Sequence, residues 1–158
     1  MKNIFNYLLP FIFVIGCLIS CSKNAKIRSV NYYENGKITK ISLSAADKDK
    51  INKIISEFIY NSNDVLKLFV NEQLIESIKT EEAALEISWS SPQEIQSEEF
   101  GIHQLSLVLI PFSGDFIGNY EDPVITLFIG DLDGYITGPL RYSNGYAILM
   151  DLKRQLIN

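Results

Sequence analysis

Seventeen consecutive residues, Ile4 to Ser20, carry no charged side chain, and Lys2 just ahead of them is basic. Ile4, Phe5, Leu8, Leu9, Phe11, Ile12, Phe13, Val14, Ile15, Leu18 and Ile19 dominate the run. A basic start, an apolar middle and a small-residue end are the three parts of a secretory leader. The competing reading is an uncleaved anchor. A spanning helix wants about 20 apolar residues, and this run is shorter and is interrupted by Asn6 and Pro10. The chain therefore divides into a leader, residues 1–20, and a remainder from which any fold must be built.

The run ends in Leu18-Ile19-Ser20-Cys21. This tetrapeptide resembles the lipobox of bacterial lipoproteins, with Cys21 at the modified position. The resemblance implies a diacylglyceryl thioether on Cys21, cleavage just before it and acylation of the new amino group. One acyl chain binds a bilayer only marginally, whereas two or more hold it stably. Val14-Ile15-Gly16-Cys17 offers a second match four residues earlier. Cys21 fits better, because polar Ser22, Lys23 and Asn24 follow it directly, whereas a cut at Cys17 would leave Leu18 and Ile19 on the mature chain. Ser22 after the cysteine resembles lipoproteins sent to an outer membrane and facing the periplasm, which presumes a two-membrane cell. Residues 21–26 then form the lipidated cysteine and a short polar tether. The domain itself, residues 27–158, matches no family pattern by its motifs.

Removing the leader leaves 138 of the 158 residues, enough for one domain with a real core. No cysteine follows Cys21, so this exported domain has no disulfide and must hold together by packing. The net charge of −5 is unevenly spread. Between Lys79 and Arg141 there is no base but eleven acids: Glu81, Glu82, Glu86, Glu94, Glu98, Glu99, Asp115, Glu121, Asp122, Asp131 and Asp133. Ser22 to Lys79, in contrast, carries ten bases against seven acids. The acidic half is either a solvated, solubilising surface or a face for a basic protein partner. It argues against nucleic acid in both cases.

Periodicity gives the elements. Ile27 to Tyr33 and Lys37 to Leu43 read as two strands around Asn35-Gly36, the strongest short hairpin signal. Ser44 to Asp47 matches a helix start, and Ile51, Ile54, Ile55, Phe58 and Ile59 follow at spacings of three and four, predicting a helix over Ala45 to Tyr60. Val65 to Val70 reads as a strand, and Asn71 caps a helix reaching Lys79. Leu85, Ile87 and Trp89 alternate with polar residues, predicting a half-buried strand ended by Ser91 and Pro92. A short strand around Ile95, then strands over Gln104 to Ile110 and Val124 to Ile129, follow. Asp131 to Gly134 turns the chain into Tyr135 to Thr137, and Asn144 caps a last helix, Gly145 to Ile157. The sum is an α+β domain: a mostly antiparallel sheet with two or three helices packed on one face.

Reactive motifs are few. The single histidine, His103, precedes an apolar strand and has no nucleophile elbow to serve. Asp131, Asp133 and Gly134 resemble the opening of a calcium loop, but Tyr135, Pro139 and Tyr142 stand where further oxygen ligands belong, so a hairpin turn is expected and no metal. The doublets Glu81-Glu82 and Glu98-Glu99 offer paired carboxylates with nothing to distinguish them from solvated charge. Two stretches stand out instead. Pro111 to Pro123 is a 13-residue connection holding Phe112, Asp115, Phe116, Tyr120, Glu121 and Asp122 among two glycines. Connections this long without regular structure are often functional. Gly134 to Tyr146 sets Tyr135, Tyr142 and Tyr146 among Gly, Pro, Ser and Asn, a mixture suited to adaptable recognition. The plainer alternative is that Phe112, Phe116 and Tyr142 enter the core. Together these features lead to the expectation of a membrane-anchored, non-enzymatic binding or accessory domain of the cell envelope, an inhibitor or immunity type among the variants. It would recognise a protein, with cell-wall glycan or small-ligand binding as the alternative and a carboxylate hydrolase behind it.

Overall fold

Asn35 and Gly36, both at positive φ (51° and 71°), turn β1 (Ile27–Glu34) back onto β2 (Lys37–Lys40). The computed structural model describes residues 26–97, 100–136 and 138–157. The leader, Cys17, Cys21 and the tether up to Ala25 lie outside the described residues, as do Glu98, Glu99 and Thr137. Among the described residues no helix is long and apolar enough to cross a membrane. After β2 come α1 (Ala45–Tyr60), β3 (Asp64–Val65), α2 (Glu72–Glu81), β4 (Ala84–Ser97), β5 (Gly101–Pro111), β6 (Ile125–Asp131), β7 (Gly134–Tyr135), β8 (Leu140–Tyr142) and α3 (Tyr146–Ile157). The eight strands form one sheet in the order β2-β1-β4-β5-β6-β8-β3, with β7 hairpinned onto β6. Every pairing is antiparallel, so the protein is an α+β domain.

Strand alternation explains why both faces of this sheet are covered. Val30, Tyr32, Leu85, Ile87, Val108, Ile110, Leu127 and Ile129 point to one face, where Ile51, Ile55, Phe58 and Ile59 of α1 and Leu149 and Leu152 of α3 close the larger core. Their neighbours Tyr33, Ala84, Leu109 and Phe128 point the other way and meet Ile75 and Ile78 of α2. Two helices thus share one face, as the pattern predicts, and the third covers the opposite one. Both predicted caps form. Ser44 and Asp47 make a reciprocal capping box, and the Asn71 side chain accepts from the Leu74 N–H at 2.9 Å.

Among the boundaries that differ from the sequence expectation, four have a clear local reason. The second strand stops at Lys40 rather than Leu43, a short lysine-flanked edge of the kind that resists pairing with another chain. The strand expected over Val65 to Val70 is regular only at Asp64–Val65. Its neighbour there is Pro139, whose carbonyl accepts from Leu66 but which has no N–H to return, and the chain kinks as Leu68 N–H bonds Leu66 O. Conversely, Pro92 does not end its strand. β4 runs on to Ser97 because Pro92 sits in a bulge, between the pairs Ser88↔Leu107 and Gln93↔Leu105, where no ladder N–H is required. The last helix begins at Tyr146 with the Gly145 carbonyl receiving the first helical bond from Leu149, so Gly145 rather than Asn144 stands at the cap.

Candidate functional site

The face of the sheet that carries α2 is only partly covered by it. β8 pairs with β6 in the register Thr126↔Arg141, which puts both side chains on that face. On the far side of β8 the irregular segment Leu66–Leu68 follows β3. On the other side, the connection from β5 to β6 is fastened to the start of β6 by a bridge between Ile117 and Ile125. A cleft of about 400 Å³ lies between these two walls, within the usual range for small-molecule sites of roughly 300–1,000 Å³. Lys67 belongs to one wall, Asp115 and Asp122 to the other, and Thr126 and Arg141 to the sheet between them. Leu66, Leu68, Phe116, Ile117 and Val124 supply apolar surface, with the Phe116 ring held edge-on against Phe128 at 5.1 Å.

The acidic wall is well ordered by its own bonds. Asn119 Oδ1 accepts from the N–H groups of Glu121 and Asp122 at 2.8 and 3.1 Å, and Gly118 N–H reaches Val124 O at 2.8 Å. At its start, the Ser113 hydroxyl accepts from Ala83 N–H, and Glu82 lies beneath Gly114 (φ +84°) while accepting the Asp115 backbone N–H. Burial pushes the Glu82 carboxyl up, and the neighbouring Asp115 charge adds to it.

A second cleft, also about 400 Å³, runs along α2 beside Glu72, Glu76, Lys79, Asp133 and Tyr135. Its base is a closed network. Glu86 accepts from Tyr33 Oη at 2.7 Å and from Tyr135 Oη at 2.6 Å, and is paired with Lys79 Nζ at 2.6 Å. The Lys79 ammonium also lies 5.2 and 5.7 Å from the Tyr33 and Tyr135 ring centres. Burial alone would push Glu86 up, but Lys79 and the two hydroxyls outweigh it and hold the carboxyl below the usual range. Burial and the adjacent carboxylate raise both tyrosines.

The residues singled out in the sequence are therefore dispersed. Asp115, Phe116 and Asp122 meet in the first cleft, Tyr135 belongs to the second, and Tyr120, 73 % exposed, stacks edge-on against Tyr146 at 5.0 Å. Glu121 is exposed at the turn. Phe112 and Tyr142 join the larger core, Tyr142 only partly buried there. Phe112 is 6 % exposed and packs beside Tyr32 in the larger core, and Tyr142 packs on Phe58 at 6.2 Å. Both lie on the sheet face away from the cleft, because strand alternation turns them inward. Sequence reasoning missed Lys67, Thr126 and Arg141, which come together only through the β6–β8 register. It also missed the Glu86 network, for which the signal present was a lone acid inside an alternating apolar strand. Asp131 Oδ1 accepts from Asp133 N–H at 2.8 Å across the two-residue turn into β7, the hairpin expected there. Among the described residues no group of three His, Cys, Asp or Glu side chains is placed to hold a metal ion. No protein-family model matches the chain, and neither curated proteins nor solved structures yield a match.

Proposed function

We propose that the protein is a lipid-anchored binding domain of the bacterial envelope, held through Cys21, that recognises a basic protein partner by an acidic end of the domain. One observation carries the reading. Glu81 closes α2, Glu82 follows it, and both act on the same electrostatic neighbourhood as Asp115, while Asp122 shares a cleft with Asp115. Glu121, exposed, directly precedes Asp122 in the chain, so acids from two separated segments contribute to one end of the domain. Charge of this kind chiefly raises association rates and rejects wrong partners. Binding is favoured over catalysis because Tyr33 and Tyr135, both raised strongly by burial, are tied up with Glu86 and Lys79.

Two measurements test the reading. In the native host, Cys21→Ser should move the protein from the membrane to the soluble fraction while Cys17→Ser leaves it membrane-bound; a membrane-bound Cys21→Ser protein refutes the anchor. Envelope extracts passed over the protein should yield a partner that elutes with salt. That partner should be lost when Glu81, Asp115, Glu121 and Asp122 are changed to their amides, and equal recovery refutes the acidic interface.

A further inference from the structure

The geometry points to the cleft over β6 and β8 as a binding site for a small zwitterion: an amino acid or dipeptide with free amino and carboxylate ends and an apolar side chain. Its charges are segregated rather than paired. Among the described residues the ion pairs are Lys79–Glu86, Arg141–Asp64 and Arg154–Asp151, which leaves Lys67, Asp115 and Asp122 without an opposite charge. Arg141 reaches Asp64 through one nitrogen, at 3.3 Å, and a guanidinium has further N–H donors to offer. One wall thus presents carboxylates suited to an ammonium, and the other side presents cations suited to a carboxylate.

The floor adds a hydroxyl-bearing residue. Thr126 is 3 % exposed and lines the cleft. A threonine hydroxyl can both donate and accept, so a ligand amide or carboxylate on the floor could bond to it. Phe116, Leu66, Leu68 and Val124 give an aliphatic side chain its place between the two poles. A ligand with one charge would leave the opposite pole unmatched, whereas a neutral one would desolvate both without return. This inference shares Asp115 and Asp122 with the partner reading but does not rest on it, since Lys67, Thr126 and Arg141 take no part in the acidic end.

Calorimetric titration of the purified full chain with L-alanyl-L-leucine tests it. Saturable one-to-one binding is expected. Capping the amino end by acetylation, or the carboxyl end as an amide, should each weaken binding about tenfold or more. Asp122→Asn should blunt the response to the first cap. Lys67→Gln should blunt the response to the second, and it leaves the Arg141–Asp64 contact between β8 and β3 intact. Thr126→Val, matched in size, should lower affinity while the thermal midpoint does not fall. No saturation by about 10 mM dipeptide, equal binding of uncapped and doubly capped forms, or indifference to both Asp122→Asn and Thr126→Val would each overturn the site. Glu81→Gln with Glu121→Gln, outside the cleft, should leave dipeptide binding unchanged, so partner capture and ligand binding fail or succeed separately.

Discussion

Lys79→Met removes the positive charge from the least exposed ion pair among the described residues. The Lys79 and Glu86 side chains are 15 % and 13 % exposed and approach to 2.6 Å. Deleting one partner of a fully buried pair costs about 3–5 kcal/mol, because the other charge is left uncompensated. Here the loss is smaller, since Tyr33 and Tyr135 still donate to the carboxylate. Methionine retains the stem packing against both rings but loses the ammonium above them, worth about 0.5–1 kcal/mol per ring. We expect a net cost of about 2–3 kcal/mol. Glu86→Gln keeps an acceptor for the hydroxyls and lets the lysine reach toward water, so about 1–2 kcal/mol is expected. The double variant should cost little more than the worse single one.

Urea unfolding followed by Trp89 fluorescence measures these differences, since Trp89 is the single tryptophan and is 3 % exposed. The pH dependence supplies a second reading. The folded Glu86 carboxyl is held below its ordinary value of 4.5, so its contribution is complete above that pH and is lost as pH falls below it. The deficit of Lys79→Met should therefore be largest near neutrality and shrink in acid. Additive single effects, within about 0.5 kcal/mol, would refute the coupling. So would a deficit that does not change with pH.

Three further outcomes follow from the same geometry. Gly114→Ala should destabilise by about 1–3 kcal/mol, because φ is +84° there and a Cβ would run into the Glu82 carboxylate; chemical denaturation checks it. Phe112→Ala should cost about 3–4 kcal/mol and Tyr120→Ala less than about 0.5, a contrast that separates core from surface aromatics in the same connection. Burial holds the His103 imidazole below its ordinary 6.5, so folding favours the neutral form and stability should decline as pH falls below that value. As this is the chain's one histidine, His103→Gln should flatten the decline in a series of thermal melts between pH 5 and 7.

How much was legible in the sequence depended on whether the signal was local. Asn35-Gly36, the Ser44 capping box and the spacing of Ile51, Ile55, Phe58 and Ile59 each act within a few residues, and the hairpin and α1 formed where predicted. Pro92 misled because proline ends a strand only where a ladder N–H is needed, and the partner strand decides that. Val65 to Val70 misled for the reciprocal reason, since Pro139 on the neighbouring strand denies the ladder its return bond. The cleft was legible only on one wall. Asp115, Phe116 and Asp122 share a connection, whereas Lys67, Thr126 and Arg141 are brought to it by sheet order alone.

The acidic interval also changes meaning once folded. Glu86 is neutralised inside the domain by Lys79, the last base before the interval, and Glu82 is spent on holding the start of the connection. Of the described acids, Glu81, Glu94, Asp115, Glu121, Asp122 and Asp133 remain exposed. Glu94 lies beyond the bulge of β4 and Asp133 at the turn after β6, both remote from the end where α2 stops and β5 gives way to its connection. Exposed charges separated by more than about 8 Å in physiological salt are largely screened from one another, so Glu94 and Asp133 do not join the remaining four. Position and total charge can therefore be separated by experiment. Neutralising Glu94 and Asp133 changes the net charge by the same two units as neutralising Glu81 and Asp115. Only the second pair should slow partner association; if both pairs slow it equally, net charge rather than a recognising surface is responsible.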